Sequence, residues 1–150
     1  MIEMTDDRFD PNSLDTRSYN LGMVYAFAEC VGSGVKRLAL SPPLSRGEFE
    51  VIIEDVERIA REYDVTLHVD EEFLGTKLFN PEFTRGKIVI HLAEDEATVD
   101  VYRALKEMKR EHLEAGTLND EVETEVAWGL GRLLSYSDDA IRELLENPRF

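Results

Sequence analysis

Residues 35–70, VKRLALSPPLSRGEFEVIIEDVERIAREYDVTLHVD, decide the fold. The apolar run Leu38-Ala39-Leu40 stops at Ser41-Pro42-Pro43, where proline removes backbone donors and ends a strand. Ser45 and Glu48 then form a capping box, the serine accepting from the third helical N–H and the glutamate reaching back to the serine N–H. Behind this cap, Phe49, Ile52, Ile53, Val56, Ile59, Ala60 and Tyr63 keep a helical period on one face. The pairs Glu54/Arg58 and Glu57/Arg61 line the other face. Val65 to Asp70 alternates as a strand. The stretch therefore predicts strand, loop, helix, strand.

Working outward, a helix is expected from about Asp15 to Val31, with Ser13 or Asp15 as its cap. Leu21, Met23, Val24, Tyr25, Ala26, Phe27, Ala28 and Val31 surround that helix nearly completely, which predicts burial on most sides or a subunit interface. Cys30 falls in the same pattern and is expected to be a buried thiol with no disulfide partner. Residues 1–12 read as a loose arm. Residues 71–86, punctuated by Gly75, Asn80-Pro81 and Arg85-Gly86, suggest a hairpin or a short extra strand. Lys87 to Leu92 is a β-branched strand, and a helix follows from about Asp95 to Ala115. The segment 117–150 is helical, with Asn119 and Ser137 as caps and Pro148 as a stop. The expected fold class is α/β. A small mixed sheet of three or four strands, including one right-handed βαβ unit, is packed by helices in a single domain over 1–150.

The chain has 150 residues, 43% hydrophobic and 33% charged, which fits a folded domain. Its formal net charge of −15 argues against nucleic acid and against anionic membrane surfaces, since both draw affinity from basic residues. No apolar run approaches the roughly 20 residues that span a bilayer. With one cysteine and no secretory leader in the acidic start, a cytoplasmic location is expected.

Three sets of residues could carry function. The loop holding Ser41, Ser45, Arg46 and Gly47 lies at a strand end and a helix start, where free backbone N–H groups and a guanidinium suit a small anionic metabolite. It lacks both the phosphate-loop and the dinucleotide glycine patterns. Second, His68 and Asp70 share one strand face, His91 lies on another strand, and Glu94 follows it. If the strands are neighbours, these four could hold a metal for a hydrolase or lyase, or act as an oriented general base. Third, Ala127-Trp128-Gly129-Leu130-Gly131 places two glycines inside a helix, where each costs roughly 1 kcal/mol relative to alanine. Close packing, within the domain or in a homodimer, would explain them. No cofactor motif is present; the leading expectation is a binding protein for a small anionic metabolite at the Ser41–Arg46 loop, with a metal-assisted hydrolase or lyase and a homodimeric assembly protein as alternatives.

Overall fold

The computed structural model describes residues 7–148. Of the expected loose arm, residues 1–6 lie outside the described residues; residues 7–13 are exposed and include a 3-10 turn at Pro11–Ser13. The elements then run α1 (Thr16–Gly32), β1 (Leu38–Leu40), α2 (Arg46–Tyr63), β2 (Thr66–Asp70), β3 (Val89–Ala93), α3 (Glu96–Ala115), α4 (Asp120–Leu133) and α5 (Asp138–Glu146). Local chemistry sets most boundaries. Asp15, Ser45, Asp95, Asn119 and Ser137 each accept a hydrogen bond from a first-turn backbone N–H, and the Ser45/Glu48 box is complete in both directions. Gly116, in the left-handed conformation at φ 70°, ends α3.

The strand order is β1-β3-β2. Both neighbouring pairs are antiparallel, with Leu40 opposite His91 in one and His68 opposite His91 in the other. The outer strands β1 and β2 therefore run the same way, and the crossover through α2 leaves a gap that β3 fills. The strand–helix–strand unit read from the sequence is present, but its two strands are not hydrogen-bonded to each other.

Alternation along the strands feeds two cores. On one face Ala39, Ile90, Leu92 and Leu67 meet Val24, Ala28 and Val31 of α1 and Ile52 and Val56 of α2. On the other, Leu38 and Ala93 meet Val99 and Tyr102 of α3, with α4 and α5 behind. Every β3 residue is buried, as expected for a central strand covered on both faces.

Three expectations are corrected. Residues 71–88 contain no β-ladder strand beyond the isolated Leu44–Ile88 bridge; they form turns with one 3-10 turn at Pro81–Phe83, because Gly75, Pro81 and Gly86 interrupt any alternating run. Within this chain helix α1 buries only the stripe Asn20, Val24, Ala28 and Val31, and leaves Tyr25 46% exposed, since α2 and the sheet cover one side of it; this overturns burial on most sides, one of the two alternatives, and does not bear on a subunit interface. Cys30 is half-buried at the border of that stripe.

The α4 glycines are explained within this chain. A Cβ on Gly129 would lie 2.6 Å from Leu105 Cδ2, and one on Gly131 would lie 2.6 Å from Ile141 Cγ1. Glycine lets α4 approach both α3 and α5. Gly131→Ala is thus expected to destabilise the protein by about 1–3 kcal/mol through overpacking. Gly47→Ala, where an added methyl meets nothing within 4 Å, should be neutral or stabilising by up to about 1 kcal/mol. Urea denaturation of the two variants separates these outcomes.

Candidate functional site: a buried carboxylate hub beside an aromatic cleft

The register of β2 and β3 does bring His68, Asp70 and His91 together. Odd-even alternation turns all three toward α3, and the side chains of Tyr102 and Lys106 meet them there, one helical turn apart. Asp70 is 4% exposed and accepts four hydrogen bonds. Its Oδ2 takes one from His91 Nε2 at 3.2 Å and a short one from the Tyr102 hydroxyl. Its Oδ1 takes one from Lys106 Nζ at 3.0 Å and one from the Glu72 backbone N–H at 3.1 Å. Because a carboxylate can only accept, the bond to His91 places the imidazole proton on Nε2.

Burial alone would raise the Asp70 pKa, but the bonds from His91, Tyr102 and Lys106 outweigh it and hold the carboxyl well below its usual range. Burial pushes His91 down more than its bond to Asp70 raises it, so the ring is neutral. Burial, followed by the neighbouring His91, also lowers His68. Burial and the adjacent carboxylate push the Tyr102 phenol far up. At neutral pH the cluster is therefore one carboxylate, one ammonium, two neutral imidazoles and a phenol.

Glu94 does not join them. It sits past the opposite end of β3, where it accepts from Arg37 Nε at 3.1 Å and from the Thr98 hydroxyl at 3.1 Å. Among the described residues, no group of three or more His, Cys, Asp and Glu side chains is arranged to hold a metal ion. The pairing of Asp70 with His91 is the pattern of an oriented general base. Yet His91 is 1% exposed, with ring centroids of Tyr102 at 4.4 Å, His68 at 5.0 Å and Phe73 at 5.9 Å. The rings seal it from any reacting group.

The Ser41–Arg46 loop is likewise committed to its own fold. Ser41 is 5% exposed; its hydroxyl accepts from the Ile90 N–H and donates to the Pro42 carbonyl, each at 2.9 Å. Ser45 is used in the capping box, and Arg46 Nη2 pairs with Glu71 at 2.7 Å. Gly47 lies exposed in the first turn of α2.

What does open beside this loop is a cleft of about 240 Å³. Leu40, Val89, Pro42 and Pro43 come from the end of the sheet, and Tyr19, Met23 and Phe27 from α1. Phe73, Phe79, Phe83 and Thr84 come from the 71–88 connection, and Tyr136 from the turn after α4. Among the described residues, no charged side chain lines it. Phe73 belongs to both features, since its ring also stacks on Tyr102 with centroids 6.1 Å apart.

Comparison with protein-family models, curated proteins and solved structures yields no match.

A wider and more open depression of about 730 Å³ lies on the other side of the same connection. Its two lysines are already held. Lys77 bonds Asp120 and Thr124, and Lys109 bonds the Gly75 carbonyl and Glu123. The apolar cleft is the smaller but the more enclosed of the two.

Sequence reasoning missed Tyr102, Lys106 and the aromatic lining. The signal was present in α3, where Lys106 and Lys109 fall near the inner stripe of Val99, Tyr102 and Leu105 rather than on the outer face. A cation at an inward position asks for a buried partner. Three phenylalanines within the punctuated segment 73–83 were the corresponding sign for the cleft.

The cluster gives stability a defined acid dependence. His68 and His91 disfavour the proton in the fold, so the unfolded chain protonates first. Their contribution is whole above the ordinary histidine value of 6.5 and falls as pH drops below it. Asp70 favours its charged form in the fold, so its contribution is whole above 3.8 and is lost as pH falls further. Denaturation at pH 7.5, 5.5 and 3.5 should show both losses. Asp70→Asn should cost about 3–5 kcal/mol at pH 7.5 and shrink the lower step, whose remainder belongs to the other carboxyls the fold holds low, Asp15, Glu48, Asp95 and Glu107.

Proposed function

We propose that this chain is a small-molecule-binding domain whose ligand sits in the cleft between α1, the end of the sheet and the 71–88 connection. One observation carries the reading: a recess of about 240 Å³ that has six aromatic side chains and, among the described residues, no charged one around it. Ligand sites are concave, mostly apolar and few per protein. This one lies where β1 runs into Ser41, Pro42 and Pro43. The connection from β2 to β3 is also far longer than a hairpin needs, and long connections of this kind commonly serve binding.

Of the four residues the sequence suggested for a ligand, Ser41 alone lines this cleft, and the chemistry differs. An anion at Ser41, Ser45 and Arg46 would have to displace Ile90, Glu48 and Glu71 from bonds they already make. An occupant of the cleft displaces only water from aromatic and aliphatic surface, a process that is favourable by about 25 cal/mol per Å² covered.

A fragment library followed by backbone amide NMR is the direct test. Binding fragments should shift Leu40, Phe73, Phe83 and Val89 together. Thr84→Trp, which puts an indole into the recess from its exposed connection, should abolish those shifts while leaving the rest of the spectrum intact. Fragments that shift residues 75–81 and 109 instead, or no binding fragment at all, would overturn the reading.

A further inference from the structure

Charge and aromatic content narrow the class of occupant, and the narrowing rests on the cleft being the binding site. Tyr19, Phe27, Phe73, Phe79, Phe83 and Tyr136 surround it, and each ring carries negative potential over its face. The protein around them bears a formal charge of −15, so the long-range field draws cations in and turns anions away. Among the described residues, no carboxylate lines the recess. A metal ion or a primary ammonium would lose its hydration shell there and find no ionic partner. A quaternary ammonium has no N–H to satisfy, holds its water weakly and is attracted by ring faces, the interaction used by aromatic cages.

We infer that the cleft takes a weakly hydrated organic cation, a quaternary or fully methylated ammonium group, held by ring faces without a counter-carboxylate. The chain makes contacts of this kind itself, and one of them involves a ring of the lining. Lys36 Nζ lies 5.2 Å from the centroid of Tyr136. That ammonium is tied to the Leu134 carbonyl at 2.7 Å and does not line the recess, so it takes up one side of one ring and leaves the rest of the lining uncharged.

The test compares two molecules of the same shape, choline and its uncharged carbon isostere 3,3-dimethylbutan-1-ol, by NMR titration of the full chain. Choline should shift Leu40, Phe73 and Val89 and bind more tightly than the isostere by roughly tenfold. Phe83→Leu, at the exposed rim, keeps apolar bulk but removes a ring face. It should weaken choline several-fold and leave the isostere unchanged. Equal or tighter binding of the isostere would overturn the cation and leave the cleft reading standing, since an apolar recess alone explains that result. The cation is also overturned if neither molecule binds while neutral fragments still map to the cleft. If nothing at all maps there, both readings fall.

Discussion

Asp70 is the constraint on which the rest of the molecule depends. Moving a carboxylate out of water costs several kcal/mol, and an unpaired one would not be tolerated at 4% exposure. Here the cost is offset by four donors, and hydrogen bonds to a charged group contribute about 1.5–3 kcal/mol each. The donors come from different parts of the chain. His91 belongs to β3, Tyr102 and Lys106 to α3, and the Glu72 N–H to the chain leaving β2. One side chain therefore fixes strand against strand, helix against sheet, and the direction in which the chain departs.

That departure matters because the 71–88 connection has no ladder of its own. Its first turn is set by Glu72 N–H on Asp70, and by the Leu74 N–H donating to the Tyr102 hydroxyl at 2.9 Å. Phe73 is held between them against His91 and Tyr102. The rigid polar cluster and the apolar cleft are thus consecutive parts of one arrangement. The carboxylate orders the ring, and the ring becomes a wall. A tight hairpin between β2 and β3 would have left the end of the sheet bare beside Pro42 and Pro43.

Much of the fold was legible because it is written locally. The capping box at Ser45, the caps at Asn119 and Ser137 and the period of the α2 face act within a few residues, and the structure follows them closely. The arrangement of strands was less legible. Nothing local in Lys87 to Leu92 says that it inserts between the two strands joined by α2; that choice belongs to the packing of both faces. For the site, the pairing of His68, Asp70 and His91 could be read from strand alternation, and the register places the two histidines opposite each other. Glu94 was added by proximity in sequence, and one residue beyond the strand was enough to carry it to Arg37. The cleft was illegible for a related reason. Its walls come from five separate segments, and no window of sequence contains more than a few of them.

Cations are few in this chain, seventeen against thirty-two acids, and the two kinds are spent differently. Several arginines make exposed pairs with carboxylates three or four residues away, as Arg58 does with Asp55 and Arg110 with Glu107 and Glu114, and such pairs contribute little. Four of the five lysines instead reach main-chain carbonyls: Lys36 at Leu134, Lys77 at Asp120, Lys106 at Glu72 and Lys109 at Gly75. Three of these four bonds hold the 71–81 stretch against α3 and α4. In so acidic a molecule the default would be for that stretch, carrying Glu71 and Glu72, to be pushed away from helices rich in glutamate. Lysines at its inner side reverse the sign of that interaction where the chain must stay close. The cleft wall is therefore held by charge on one side and by aromatic packing on the other, and among the described residues the recess between α1 and this stretch has no charged group in its lining.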